Sequence, residues 1–279
     1  TRFAGVTGVQ TCALPILNGD DGELTAQRAA ADREWTYGHI VVDEAQELTA
    51  MDWRMLIRRC PSRSFTIVGD VAQTSALAGT RRWDKTMNRL FGEGHWDLNE
   101  LTINYRNPRE VSDLASRFAQ NEGLYISTVN AVRALPDSVS RHVVDDMKAL
   151  LTVTSNQAAQ LANHFVSADG TGRIAIICPN DLIKPVREAV RHRLSSLMAP
   201  SEYQRLIDQP EWDEQISVCG TEMVKGLEFD AVIVIEPGRI EDDAPSRLVA
   251  ASDLYVATTR PTQKLVIVRT KEDERSLNI

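Results

Sequence analysis

Cysteine is scarce and never paired: Cys12, Cys60, Cys178 and Cys219 stand far apart with no CxxC spacing, which speaks against a zinc site and against a disulfide framework. Reduced, mostly buried thiols are expected. No apolar run approaches the roughly 20 residues that a membrane-spanning helix requires, and no basic-then-apolar leader opens the chain. The expectation is a cytoplasmic protein without membrane attachment. Basic excess is missing as well: 31 Lys and Arg against 39 Asp and Glu leave a net charge of -8, which excludes a broadly cationic nucleic-acid coat but allows a local basic groove. Neither a repeat of solenoid period nor a low-complexity tract is present. An initiating methionine is lacking too. The chain starts at Thr1, and Gly5 to Ile16 follows no structural period; residues 1–17 read as translated adaptor sequence and are set aside from fold reasoning.

What remains of the 279 residues is long enough for two core-bearing units. Glu23 to Ala31 favours helix, and His39-Ile-Val-Val42 is a short apolar run ending in acids, as in a buried parallel strand. Met51 to Cys60 carries apolar residues at helical spacing, Pro61 and Ser62 end it, and Phe65 to Val68 predicts a second strand closing on Gly69-Asp70. Leu98 to Ile103 alternates as a strand, and Pro108 opens a helix to about Ala119. A domain boundary is placed near Asp97. Strands are expected at Ala149–Thr154, Ile174–Cys178, Ile216–Cys219, Ala231–Ile235 and Leu265–Val268, with helices near Asn156–Ser167, Leu182–Leu197 and Ser246–Thr258. Such alternation implies a parallel α/β sheet.

The most informative local pattern is Val41-Val42-Asp43-Glu44-Ala45-Gln46. A hydrophobic strand that delivers adjacent carboxylates to a sheet's C-terminal edge suits nucleotide–Mg²⁺ chemistry. Asp43 can hold the metal's shell, and Glu44 can orient and deprotonate an attacking water. By itself an Asp-Glu pair after a strand more often caps a helix. The next strand ends in Gly69-Asp70-Val71-Ala72-Gln73, which brings an amide, Gln73, near the same edge; alone, that pentapeptide reads as a solvated turn.

Order and spacing change that balance. Asp43-Glu44-Ala45-Gln46 and Gly69-Asp70-x-x-Gln73 resemble motifs II and III of superfamily 1 helicases of the UvrD/Rep type. Three further segments follow in the family's order: Leu101 to Arg106 as motif IV, Val224 to Asp230 as motif V, and Tyr255 to Arg260 as motif VI. The resemblance covers roughly Tyr37 to Arg269, and Met51 to Ser64 brings it nearest to the HelD branch of RNA polymerase-associated helicase-like ATPases. It implies an α/β fold of RecA-like parallel sheets flanked by helices, a P-loop NTPase fold whose N-terminal part is missing. Residues 18–97 would be the C-terminal part of a first RecA-like domain and 98–279 a second.

The resemblance also implies ATP and Mg²⁺ as cofactors, with Asp43 on the metal, Glu44 as base and Gln73 as γ-phosphate sensor. Tyr105 would stack on adenine, and Arg106 and Arg260 would reach the γ-phosphate as arginine fingers, guanidinium groups being permanently charged. Gly226 would permit close backbone approach, and Glu228 would bind the ribose or the metal-linked waters. Single-stranded DNA, or RNA, is the implied partner, with Trp83, Thr221 and Lys225 as candidate contacts. Arg81 and Arg82 flank Trp83, but Thr74 to Thr80 lacks the family's arginine-rich continuation, so a core role for Trp83 stands equally open. Trp35, Trp53, Trp96 and Trp212 read as packing residues. RNA polymerase is a further implied partner, although the branch's partner-binding elements lie in regions that this chain does not contain.

One motif is absent from the sequence. No Gly-x-x-x-x-Gly-Lys-Ser/Thr occurs, and that loop supplies the amides and the lysine that cradle the β- and γ-phosphates. These residues alone are expected to bind ATP poorly and hydrolyse none. Three readings stay open: the C-terminal half of a helicase or translocase motor, an ATPase that remodels RNA polymerase without unwinding, and a truncated module that only binds.

Overall fold

The computed structural model describes residues 36–166, 171–207 and 214–273. The helix expected at Glu23–Ala31 and the residues Cys12, Trp35 and Trp212 lie outside them. In chain order the strands are β1 (Ile40–Val42), β2 (Phe65–Ile67), β3 (Ile103–Pro108), β4 (Asn130–Arg133), β5 (Val139–Val144), β6 (Ile174–Ile177), β7 (Ile216–Cys219), β8 (Phe229–Ile235) and β9 (Pro261–Thr270). The helices are α1 (Ala50–Arg59), α2 (Trp83–Phe91), α3 (Arg109–Asn121), α4 (Met147–Phe165), α5 (Ile183–Leu197), α6 (Pro200–Ile207), α7 (Pro237–Asp243) and α8 (Arg247–Thr259).

Strand pairing is parallel throughout. The main sheet has five strands in the order β5-β9-β8-β6-β7, and β1-β2 and β3-β4 form separate pairs. The fold is therefore α/β, a five-stranded parallel sheet with helices on both faces. The reason is visible in β8, whose Ala231 to Ile235 are all fully buried. Ile233 and Ile235 meet α4 and α5 through Leu150, Ala158, Val186 and Val190. Val232 and Val234 meet α3 and α8 through Leu114, Phe118, Ala251 and Leu254. A strand covered on both faces has no polar side, so its run is continuously apolar.

The smaller core holds Val42, Ala45, Trp53 and Met87, with Phe65, Trp83 and Trp96 packed against it. Helix α1 starts on a reciprocal cap: Thr49 Oγ accepts from the Asp52 amide at 3.3 Å while Asp52 Oδ2 accepts from the Thr49 amide at 2.8 Å. The Thr49 hydroxyl, donating to Asp52 Oδ2 at 2.7 Å, and then the Thr49 amide hold the Asp52 carboxyl below its ordinary range. The packing roles expected for Trp53 and Trp96 match this core.

Two expectations fail locally. Ala149–Thr154 is not a strand but the first turns of α4. Asp146 caps that helix by accepting from the Ala149 amide at 2.7 Å, and Leu150, Thr154, Ala158 and Leu161 then recur at helical spacing on the buried side. The β-branched Thr-Val-Thr run suggested a strand, but a cap followed by a helical apolar stripe outweighs local propensity. Leu98–Ile103 is likewise not the strand; pairing begins only at Ile103 and runs to Pro108, and Leu101 stays 86% exposed.

At the far end of β9, Asp273 is buried and accepts from the Gly238 amide at 3.1 Å. Burial, joined by the neighbouring Glu236 carboxylate, pushes its carboxyl up to about 6. A carboxyl raised on folding stabilises the fold below its unfolded value of 3.8 and loses that contribution as pH rises through about 6. The wild-type chain should therefore lose stability relative to Asp273→Asn between about pH 5 and about pH 7.5. Urea midpoints at both pH values measure this, and parallel changes in the two proteins would contradict it.

Candidate active site

Strand β1 ends at Val42 and the chain turns at once. Glu44 has φ 50° and ψ 37°, a left-handed conformation in a non-glycine residue, which persists only where the surroundings impose it. They do: the Glu44 amide donates to Asp43 Oδ1 at 2.9 Å, and Gln46 Nε2 donates to Glu44 Oε2 at 2.6 Å. Both carboxylates stand exposed at the strand's carboxyl end. Gln46 itself is completely buried.

The buried amide of Gln46 looks two ways. Its Oε1 accepts from the Asp70 backbone amide at 3.1 Å, and the residue's backbone carbonyl accepts from the Thr80 amide at 2.6 Å. Gly69 is required beside it, since a side-chain carbon there would overlap Gln46 Oε1 and press Trp83. Gly79 faces the Gln46 backbone, where an added Cβ would lie 2.5 Å from the carbonyl oxygen and 2.6 Å from Thr74 Cγ2. A backbone oxygen has little room to retreat. Gly79→Ala should cost about 1–3 kcal/mol, read as a lower urea midpoint; an unchanged midpoint would show that the 74–80 loop is not seated on Gln46.

Asp70 caps the short turn Val71–Gln73, its Oδ1 accepting from Ala72 N at 3.0 Å and its Oδ2 from Gln73 Nε2 at 2.8 Å. Burial raises its carboxyl above the usual range, against the lowering effects of Gln73, Ala72 and the Arg260 charge. Gln73 Oε1 then accepts from Arg260 Nη2 at 2.8 Å. Glu44, Gln46, Asp70, Gln73 and Arg260 thus form one continuous polar chain, running from β1 to the end of α8.

Arg260 is only 3% exposed. Its guanidinium also donates to Val256 O at 3.2 Å and Leu227 O at 3.3 Å. Burial lowers its pKa, Arg106 lowers it further, and the Glu44, Glu228 and Asp70 carboxylates oppose both. Arg106 pairs with Glu228 at 2.5 Å, both side chains about half exposed. Tyr105 is 68% exposed, its ring open to solvent.

Sequence reading missed Asn107. It is buried and donates through Nδ2 to Thr259 O at 2.8 Å and Pro261 O at 2.7 Å. Asn104 Oδ1 accepts from the Arg106 and Asn107 amides at 2.9 and 3.0 Å. The pair of asparagines thereby fixes the backbone on either side of Arg106 to the backbone on either side of Arg260. Two Asn three apart in Asn104-Tyr-Arg-Asn107 were the available signal, since such residues serve local backbone bonds.

Gly226 has φ +72°, a conformation glycine tolerates best, and it follows Lys225, whose ammonium meets Glu47 and lies 3.1 Å from Gln73 O. Thr221 opens the short turn Thr221–Val224 and lines a cavity of about 570 Å³ with Asn180, Cys219 and Met223. Trp83, half-buried, packs against the Val42 and Met87 core. The structure joins Gln73 to Arg260 and Arg106 to Glu228 directly, and Glu44 reaches Arg260 through Gln46, Asp70 and Gln73.

Asp43 offers one exposed carboxylate, and among the described residues no group of three or more His, Cys, Asp or Glu could hold a metal ion. That donor set fits Mg²⁺, which keeps several waters and takes one or two carboxylates plus substrate phosphates; it does not fit a dedicated metal cage. Among the described residues no helix is long and apolar enough to cross a membrane. Cys60, Cys178 and Cys219 are free thiols, and burial pushes Cys178 up to about 12 and Cys219 up to about 11, so neither is a nucleophile at neutral pH.

No family model matches the chain, and no curated protein matches it. Among solved structures it is similar to the C-terminal domain of a possible DNA helicase from Lactobacillus plantarum WCFS1, at 18% identity and a TM-score of 0.41, over 60% of this chain and 88% of that one.

Proposed function

We propose that this chain carries the C-terminal part of an ATP-dependent nucleic-acid motor of superfamily 1, with its hydrolytic site between the C-terminal part of a first RecA-like domain, residues 18–97, and a second RecA-like domain, residues 98–279. The observation that carries this is the polar chain from Glu44 through Gln46, Asp70 and Gln73 to Arg260. A packing turn gives no reason to align a strained carboxylate with a buried guanidinium along three side-chain hydrogen bonds and one from the Asp70 backbone.

Asp43 would hold Mg²⁺, which when bound neutralises charge on the phosphate oxygens. Glu44 accepts the proton of the attacking water, its carboxylate aimed by Gln46. Gln73 holds the γ-phosphate edge of the site, and Arg260 stabilises charge on the transferring group. Arg106, released from Glu228, is a second finger, and the open ring of Tyr105 provides a stacking face for a base. Single-stranded DNA or RNA is the partner, with Thr221, which lines the cavity shared with Leu227 and Asp253, as a candidate contact.

No P-loop motif occurs in these 279 residues, so this reading requires a phosphate cradle supplied from elsewhere. Val41 is 68% exposed although it lies in a parallel strand, a class of strand normally covered on both faces. Further sheet and helix packed there would bring such a loop beside Asp43. The test is to express the intact reading frame that contains these residues and measure ATP hydrolysis with and without a single-stranded oligonucleotide. Hydrolysis stimulated by the oligonucleotide is expected; a product with no P-loop and no turnover would sink the proposal.

A further inference from the structure

Glu47 was not singled out by its sequence position, yet its carboxylate gathers more partners than any other at the junction. Oε1 accepts from the Ser75 amide at 2.9 Å and Oε2 from the Ala76 amide at 3.0 Å. The Lys225 ammonium, 178 residues away in sequence, bonds to Oε1 and reaches Gln73 O at 3.1 Å. Both partners of the ion pair keep about a quarter of their side-chain surface exposed.

The segment between Gln73 and Ala76 is therefore held on all sides. Glu47 binds its amides, Lys225 grips its first carbonyl, Ser75 Oγ donates to Asp253 Oδ1 at 2.8 Å, and Gln73 Oε1 takes the Arg260 guanidinium. Asp253 lies on α8, the helix that leads into Arg260. Whatever moves Glu47 against Lys225 moves this segment, and with it the contact between Gln73 and Arg260.

We propose that Glu47 is a positioning residue which, through Lys225 and the Ser75 and Ala76 amides, couples the β1 turn to α8 and sets Arg260 against Gln73. The inference rests on the hydrolytic reading of the site for its consequence, but the coupling itself does not. The partners that the Glu47 carboxylate holds are groups of the protein itself, the Ser75 and Ala76 amides and the Lys225 ammonium. A carboxylate suits the task because two converging amides and an ammonium all favour an anion, and a neutral amide satisfies only part of that set.

The coupling is tested on the 279-residue chain by hydrogen exchange. Glu47→Gln should speed exchange about threefold or more in residues 221–228 and 247–260, across the junction from the substitution. Lys225→Met should do the same in residues 73–80, the double variant should add nothing to either single one, and Lys225→Arg should behave as wild type. Effects confined to residues near each substitution would overturn the coupling, and because each partner is read from the other, the failure of one variant to fold leaves the second reading intact. In the product of the intact reading frame, Glu47→Gln should lower kcat about tenfold at unchanged KM. Wild-type turnover by Glu47→Gln would overturn the positioning role. No turnover by the wild type itself would strike the proposed function instead, with the exchange result still deciding the coupling.

Discussion

Glu44→Gln, introduced into the product of the intact reading frame, is expected to reduce ATP turnover by about 10²–10⁴-fold while nucleotide affinity stays within about twofold. Glutamine has the shape of glutamate and can still accept the Gln46 Nε2–H through its own carbonyl oxygen, so the buried Gln46 contacts to Asp70 and Thr80 survive. What disappears is the proton acceptor. The turn that presents it is strained, with φ at 50° in a residue that has a side chain, and a glycine would adopt that turn more easily. That a carboxylate stands there points to chemistry as the reason. Steady-state hydrolysis together with binding of a fluorescent nucleotide checks the two halves of the expectation. Wild-type turnover would remove Glu44 from the mechanism, and a loss of binding in step with turnover would assign it to ground-state contacts.

The fold was legible where burial is symmetric. Ile174 to Ile177 and Ala231 to Ile235 are apolar at every position because helices cover both faces. Strand β5 was not legible: it lies at the sheet's edge beside β9, and Arg141 and His142 interrupt its apolar pattern. β4 was missed for a related reason, since it pairs only with β3 and Val132 is 53% exposed. In α4 the strand-like Thr-Val-Thr run lost to the Asp146 cap, a contest that local propensity does not decide.

The site divides in the same way. Asp43, Glu44, Gln73, Arg106 and Arg260 could be named as candidates from ordered motifs, because all but Arg106, which lies within β3, sit at an element's end beside a recognisable turn. Asn107 and Glu47 were not named, since the contacts that tie them to the Arg260 side, to Thr259 O and to Lys225, span more than 150 residues, and the Asn104/Asn107 spacing signals only local backbone bonds. Gln46 stood in plain view within Asp43-Glu44-Ala45-Gln46, but only its complete burial shows that it connects two motifs.

Arg260→Lys is expected to be nearly as damaging as Arg260→Ala, each lowering turnover by about 10³-fold or more, although lysine keeps the charge. The guanidinium uses separate nitrogens for separate acceptors: Nε reaches Val256 O, Nη1 reaches Leu227 O and Nη2 reaches Gln73 Oε1. An ammonium on a flexible stem cannot hold that fork and aim at a phosphoryl group together. Burial already works against the charge here, and the Arg106 charge adds to the opposition. A lysine in the same place would meet the same burial with a lower intrinsic pKa and would be more readily neutralised. Stability should respond differently. A buried cation costs desolvation wherever it lies, so its removal relieves one cost while leaving three acceptors short of a partner, and the two alanine effects offset each other. The informative comparison is thus turnover against urea midpoint in the same variants. A large loss of turnover with a small change in midpoint assigns Arg260 to the phosphoryl group, whereas parallel losses would make it a strut that holds α8 to the Gln73 turn.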